Sequence, residues 1–223
     1  MNRHVLVAPL LLASLSVGPA SAQTSSKATL AERLGYPRGA KLLILHADDV
    51  GMAHSISSAT FQALDAGAIN SASIMIPCPW LPEVAAYASS HPNADLGLHL
   101  TLNSEWTAYR WGPLTSKDRV PSLLDKDGFF YSSTEEARAR IDPREAEVEL
   151  RAQIERARAV GIQPTHLDSH MGQLFQTRDL FATLMRVAHD YKLPVLLSHD
   201  FNTMGGDTTM FAGVLQPTDV VID

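Results

Sequence analysis

An alternation of apolar, strand-length runs with amphipathic helical segments extends through the chain after residue 40 and limits the folds open to it. Strands are predicted where apolar residues run together, and helices where they recur every three or four residues before a Gly or Pro. The predicted strands cover 41–49, 71–77, 94–102, 165–171 and 194–199, with a sixth beginning at 220–222. The predicted helices cover 55–67, 81–90, 143–161 and 177–192. This alternation indicates an α/β fold of parallel strands and crossover helices, either a doubly wound sheet or a β/α barrel.

Two segments of this pattern carry further expectations. The run 42–45, LLIL, is continuously apolar, which is typical of a strand covered on both faces. The segment 103–141 is long and irregular, and loops of this length are usually functional lids or binding loops. We therefore expect a buried first strand and a functional loop after the third.

The first 22 residues have the three parts of a secretory signal peptide. Arg3 supplies a positive start, 5–17 is mostly apolar, and Ala20 to Ala22 form a small-residue cleavage site. The apolar part is shorter than the roughly 20 residues that span a bilayer, which argues against a membrane anchor. We therefore expect a secreted or periplasmic bacterial protein with no stable membrane insertion after cleavage near Ala22. The predicted organisation is a signal peptide at 1–22, a tether at 23–38 and a β/α domain at 39–223.

The charge balance excludes one class of partner. The chain has 18 Lys and Arg against 24 Asp and Glu, a net charge of −6. The predicted signal peptide holds one Arg and no acid, so the remainder has 17 against 24, or −7. A nucleic-acid surface needs a basic stripe, so no nucleic-acid partner is expected. Cys78 is the one cysteine, so no internal disulfide can form, and we expect a buried thiol.

Histidine and aspartate residues recur at the ends of the predicted strands. In both candidate architectures, ligands bind at the carboxyl ends of the parallel strands. Four of the five complete strands carry such residues toward that end: Asp48 and Asp49, then His99, then His166, Asp168 and His170, then His199 and Asp200. This repetition at one edge of a sheet indicates a functional site more strongly than any one residue does.

The spacing of these residues favours a metal site. His166, Asp168 and His170 share a face if their strand is regular, and His99 lies late in another strand. Two imidazoles and a carboxylate bind a divalent metal ion and leave positions open for water and substrate. The metal lowers the pKa of bound water and polarises a carbonyl, and a second carboxylate can act as general base.

The two adjacent aspartates raise a question of geometry, because neighbouring side chains of a regular strand face opposite ways. Asp48 and Asp49 can serve one site only if the strand ends there and the backbone turns, which Gly51 makes easier. Taken alone, the pair also fits an ordinary turn or helix cap, and His99 alone fits a core histidine.

Three motifs, HADDVG, LGLHLTL and PTHLDSHMG, occur in this order and resemble those of the YdjC-like carbohydrate deacetylases, which include chito-oligosaccharide deacetylases. The resemblance covers about residues 40–200 and implies a distorted, incomplete β/α (TIM-like) barrel, related to that of the polysaccharide deacetylases. It implies that Asp48 is the catalytic base. It also implies that Asp49, His99 and His170 bind one divalent metal ion, Mg²⁺ or Zn²⁺. The implied substrate is a carbohydrate, and the implied reaction is hydrolysis of the N-acetyl group of an amino sugar or chito-oligosaccharide.

Several alternatives stay open. His166 and Asp168 either support the ligands or touch substrate, or they are ordinary strand residues, and His199 is a further candidate for such a role. Trp106 and Trp111 either stack on sugar rings or pack the long loop down.

The length of the chain raises a further alternative. The family continues through further barrel strands, so a barrel truncated at its C-terminus is expected. Three functions stay open for such a chain. It is an active deacetylase, an inactive relative that binds metal or sugar, or another metal-dependent hydrolase such as a phosphoesterase. A phosphoesterase is expected to have more basic residues near its site than these motifs contain. The sequence does not indicate an oligomeric state.

Overall fold

The computed structural model describes residues 28–197 and 213–215. The chain divides into two units, Met1–Leu42 and Leu43–Asp223. In the first unit, the described part of the predicted tether contains a one-turn helix, α1 (Leu30–Arg33). The predicted signal peptide, His199 and the predicted sixth strand lie outside the described residues, so these expectations stay predictions.

Four parallel strands form one sheet in the unit Leu43–Asp223. They are β1 (His46–Val50), β2 (Ser71–Ile74), β3 (Leu96–Leu100) and β4 (Leu167–Ser169), and they lie side by side in chain order. The helices of this unit are α2 (His54–Asp65), α3 (Leu81–Ser90), α4 (Thr134–Arg140), α5 (Pro143–Ala159) and α6 (Arg178–Tyr191). The predicted α/β class with parallel strands and crossover helices is confirmed. An unbroken chain order, without the reversal that marks a doubly wound sheet, favours a partial β/α barrel.

The two longest helices, α5 and α6, pack against each other, and each buries an apolar stripe. Each begins at a side-chain cap: Asp142 accepts the backbone N–H of Arg144, and Thr177 accepts that of Leu180. The stripes consist of Ala146, Leu150, Ile154 and Ala157 on α5 and Leu180, Phe181, Leu184, Val187 and Ala188 on α6. Burial of each large apolar side chain contributes about 1.5–3 kcal/mol. None of the described helices has both the length and the apolar character needed to cross a membrane.

The first strand is shorter than predicted, and its leading apolar run is exposed. Leu43, Ile44 and Leu45 precede β1 and are 71%, 62% and 47% exposed. The amide side chain of Asn70 accepts the Leu45 N–H at 2.8 Å and donates to the Leu43 carbonyl oxygen at 3.0 Å. The Leu45 carbonyl oxygen in turn accepts the backbone N–H groups of Asn70 and Ser71 at 3.0 and 3.2 Å. The expectation that 42–45 is covered on both faces was wrong for the described structure, because an apolar run does not itself supply the neighbour that would cover it.

The segment 103–141 contains more regular structure than its sequence indicates. It includes a 3₁₀ turn at Pro121–Leu123 and helix α4. Glu149, fully buried on α5, accepts the backbone N–H groups of Leu114 and Thr115 at 3.1 and 3.0 Å. A buried helical side chain therefore fastens the middle of this segment.

The fourth strand is also shorter than predicted, because the chain turns immediately after Ser169. Met171 and Gly172 have left-handed backbone, with φ of 53° and 62°. After α6, Val195 forms an isolated parallel bridge with Leu167 on the free side of β4. The described residues thus contain only the beginning of the predicted fifth strand.

Candidate metal centre

A bulge in β1 explains how two adjacent aspartates reach one end of the sheet. Ala47 pairs with Ala72 and Val50 with Ile74, so Asp48 and Asp49 together stand opposite Ser73 alone. This two-against-one arrangement interrupts the strand's alternation of faces. Asp49 has a φ of 59°, a left-handed conformation that aspartate tolerates better than most residues. The expectation that the backbone turns at this pair agrees with the structure.

Asp49, His99 and His170 lie together at the carboxyl ends of β1, β3 and β4. One donor atom of each lies within 4.8 Å of the others. Asp49 Oδ1 is 3.2 Å from His170 Nδ1 and 3.4 Å from His99 Nε2. The structure therefore brings together the three residues that the sequence motifs imply as metal ligands.

The chemistry of this donor set fits a divalent cation. Asp49 Oδ1 is buried and makes no hydrogen bond with the described residues, although two ring nitrogens face it. A buried carboxylate oxygen without a bonding partner is costly, and a cation would satisfy it. Burial raises the pKa of Asp49, but the nearby His170 and His99 outweigh burial and lower the pKa below its usual value. The carboxylate is thus kept in the anionic form that binds metal.

Asp168 orients His99. Its Oδ1 accepts a hydrogen bond from His99 Nδ1 at 2.6 Å, which leaves His99 Nε2 directed toward Asp49. The other oxygen, Oδ2, accepts a hydrogen bond from Ser73 Oγ at 2.8 Å and lies 3.4 Å from His46 Nε2. Burial raises the pKa of Asp168, but its bonds to His46, His99 and Ser73 prevail and hold that pKa far below its usual range. Of the two roles left open for Asp168, this geometry favours support of a ligand.

Glu105 orients His170 in the same way, and the sequence reasoning missed it. His170 Nε2 donates to Glu105 Oε2 at 2.9 Å, so its Nδ1 faces Asp49. Burial lowers the pKa of His170, but the neighbouring carboxylates of Asp49 and Glu105 prevail and raise the pKa to about 9. The same negative surroundings that favour a proton on this ring favour a metal cation. Glu105 lies in the long loop and belongs to none of the three motifs. The one sequence signal for its role was a carboxylate shortly after a predicted strand.

Replacing Glu105 with glutamine should weaken metal binding about 10- to 100-fold, the usual cost of losing the partner behind a metal-bound histidine. Glutamine keeps the size of the side chain but removes the charge that holds the His170 ring. Calorimetric titration with Zn²⁺ would measure the affinity, with Glu155→Gln on the exposed surface of α5 as the control. Equal affinities of parent and variant would contradict this role.

Asp48 is exposed at the bulge and directly precedes Asp49 in the chain. Its side chain makes no hydrogen bond or ion pair with the residues that the structure describes. An exposed carboxylate without a bonding partner is available to accept a proton.

His166 lies before β4, away from the three ligand candidates. Its Nδ1 is 2.9 Å from Thr165 Oγ1 and 3.5 Å from Asp95 Oδ1, and its ring meets that of His46 edge-on at 5.3 Å. The ring also occupies the space above Gly97, where a Cβ would lie 2.3 Å from His166 Nε2. The structure thus places His166 in packing between strands, rather than in contact with the metal centre.

The close approach at Gly97 gives a stability prediction. In Gly97→Ala the added methyl group would displace the His166 ring, and such overpacking costs about 1–3 kcal/mol of the free energy of unfolding. Urea unfolding would measure the loss. Gly39→Ala, where a Cβ meets nothing within 4 Å, is the control. A second substitution, His166→Ala, should recover part of the loss, and failure to do so would show that the ring is not the cause.

The two tryptophans proposed for sugar stacking have different surroundings. Trp111 is 3% exposed, and its Nε1 donates to the carbonyl oxygen of Asn103 at 2.6 Å. Of the two roles left open for Trp111, this burial favours packing of the loop. Trp106 is 46% exposed, with its ring 6.2 Å from that of Tyr109, so it stays available to a ligand.

Comparison with known proteins identifies relatives. A sequence model described as YdjC-like protein matches residues 42–218. A carbohydrate deacetylase of Thermus thermophilus is 39% identical over 176 residues, covering 79% of this chain and 60% of the relative. One of Brevibacillus brevis is 31% identical over 161 residues, covering 72% of this chain and 61% of the relative. The chain spans about three fifths of the length of these curated relatives.

A solved structure has a similar fold. It is the crystal structure of an Enterococcus faecalis protein named for cellobiose-phosphate cleavage, with a TM-score of 0.67 and 25% identity. The match covers 77% of this chain and 63% of that one.

Proposed function

Because the chain belongs to the YdjC-like protein family, we propose that it is a metal-dependent carbohydrate deacetylase that removes N-acetyl groups from amino sugars or chito-oligosaccharides. The observation that carries the proposal is the convergence of donor atoms from Asp49, His99 and His170, with the exposed residue Asp48 directly before Asp49 in the chain. The relatives named carbohydrate deacetylases support the same class of reaction.

The three ligand candidates would hold one divalent ion, with Mg²⁺ and Zn²⁺ as the candidates. Two imidazoles with one carboxylate suit Zn²⁺, whereas Mg²⁺ prefers oxygen ligands. Such an ion, when bound, polarises the amide carbonyl and lowers the pKa of a water molecule. Asp168 and Glu105 keep the ring nitrogens of His99 and His170 directed at the ion's position.

Asp48 acts as the general base in the proposed reaction. It takes a proton from the water that attacks the amide carbon of the N-acetyl group. The carbon–nitrogen bond then breaks, and the nitrogen takes up the proton removed from the water, giving acetate and a sugar with a free amine. Asp49 Oδ1 faces two histidine rings, whereas Asp48 is exposed, so the proposed division of labour between the two aspartates follows from their different surroundings.

Acetate release tests the proposal. Parent protein loaded with Zn²⁺ or with Mg²⁺ would be incubated with N-acetylglucosamine and its β-1,4-linked oligomers, and free acetate measured. The absence of acetate with either metal would contradict the proposed activity. Binding of metal and sugar without acetate would then favour the inactive relative, and hydrolysis of a phosphate ester instead would favour a phosphoesterase.

Export is a further part of the proposal and rests on the N-terminal sequence. Cleavage after Ala22 should give a mature chain that starts at Gln23. Intact-mass measurement of protein secreted by a bacterial host would detect this species, with Ala20→Leu/Ala22→Leu as a control that removes the cleavage site. A parent protein that keeps Met1 would contradict cleavage.

A further inference from the structure

We propose that Trp80 is a specificity-determining residue whose indole stacks against a sugar ring next to the one that loses its acetyl group. The inference rests on the proposed deacetylase function. It adds to the site a contact that favours oligosaccharides over single sugars.

The backbone places Trp80 at the carboxyl end of the sheet, on the loop next to the one that follows Asp48 and Asp49. Trp80 ends the loop that follows β2, and its N–H donates to the carbonyl oxygen of Gly51 at 3.2 Å. Gly51 directly follows the strand that carries Asp48 and Asp49. The loops after β1 and β2 are therefore bonded to each other at the end of the sheet where the candidate base and ligands lie.

The Trp80 side chain takes no part in the cap of α3. The residue caps α3 through its backbone, since its carbonyl oxygen accepts the N–H groups of Glu83 and Val84 at 3.0 and 3.3 Å. Its indole is 42% exposed, whereas that of Trp111 is almost completely buried. Tryptophan is highly buried on average, so this exposed fraction is unusual and is consistent with contact to a ligand.

One side of the indole is held in place. The His54 ring packs against it with centroids 5.2 Å apart and planes inclined at 38°. His54 Nδ1 in turn donates to Glu83 Oε1 at 2.8 Å, which fixes the ring from α3. An aromatic surface that is already immobilised loses little conformational entropy when a ligand binds.

A pyranose ring matches such a surface. Its C–H groups form an apolar face, which packs on the electron-rich face of an indole, while the hydroxyl groups at its rim stay in water. Trp106 lies on the loop after the next strand and is also exposed, so sugar-binding surface is available on two neighbouring loops. In the proposed complex, one sugar places its acetyl group at the candidate metal centre. Trp80 then contacts the ring of the neighbouring sugar.

The test compares the binding of two probes, N,N′-diacetylchitobiose and N-acetylglucosamine. Binding would be measured by calorimetry in Zn²⁺-loaded Asp48→Asn protein, where turnover does not interfere. Adding Trp80→Ala should raise Kd for the disaccharide about three- to tenfold, the range of one aromatic contact, and leave that for the monosaccharide unchanged. Trp80→Phe should recover most of the affinity. Tyr36→Ala, which removes an exposed ring from the other unit, is the control.

Steady-state kinetics separates this contact from a structural effect. In the active parent background, Trp80→Ala should raise KM for the disaccharide with kcat and metal content unchanged. An unchanged Kd in Trp80→Ala, an equal loss for both probes, or no measurable disaccharide binding in the protein that keeps Trp80 would overturn the inference. Absence of acetate release from the parent would contradict the proposed function alone, because the binding comparison does not need turnover.

Discussion

Replacing Asp49 with asparagine should lower the affinity for a divalent metal ion more than about 100-fold. Loss of a residue that only supports a ligand, such as Glu105, costs roughly 10- to 100-fold. The carboxylate is the only anionic member of the ligand set, and its Oδ1 faces both His99 and His170. Acetate release should fall with metal occupancy. Metal content after dialysis and calorimetric titration would measure the change.

Asparagine is the informative substitution at this position, because it also tolerates the left-handed backbone, with a φ of 59°, that Asp49 adopts. Alanine would add backbone strain to the loss of the ligand. Asp127→Asn, on a surface turn, is the matched control for removal of one negative charge. Full metal content in Asp49→Asn would show that this carboxylate is not a ligand.

Replacing Asp48 with asparagine should produce the opposite combination, with metal binding retained and kcat for deacetylation reduced about 10²- to 10⁴-fold, the range expected for loss of a general base. The side chain makes no described hydrogen bond that the fold would lose, so stability should stay within about 0.5 kcal/mol of the parent. Acetate release and metal content must be measured on the same preparation.

A second measurement makes the Asp48 prediction specific. The pH–rate profile of the parent should show an acidic limb, which reports protonation of the base, and Asp48→Asn should lose that limb. Asp118→Asn, on the exposed part of the long loop, is the control for a change in overall charge. Retention of both kcat and the acidic limb in Asp48→Asn would assign the base to another residue.

The sequence was most informative where a periodic rule applied. Strand–helix alternation predicted the parallel sheet, and the carboxyl-end rule predicted that His and Asp residues of several strands would lie at one edge of it. The choice of Asp49, His99 and His170 among them came from the family resemblance. Both rules depend on the spacing of residues along the chain, which can be read directly from the sequence. They could not predict the bulge at Asp48 and Asp49, because a bulge depends on how two strands pair.

The remaining differences depend on neighbours distant in sequence. Leu43 is exposed because no described strand covers it, and Trp111 is buried because the long loop folds over it. Glu105 and Trp80 went unnoticed because each gains its place from another element: His170 in one case, and Gly51 with His54 in the other. Composition and periodicity contain no signal for such contacts.

A single carboxylate, that of Asp168 on β4, connects side chains from the three other strands: His46 on β1, Ser73 on β2 and His99 on β3. Its bonds to Ser73 and His99 span 95 and 69 positions of the chain. No short segment of the chain could therefore assemble the site by itself. Metal affinity becomes a measure of cooperative folding, since the ion would bind the assembled sheet and stabilise it as a whole against unfolding.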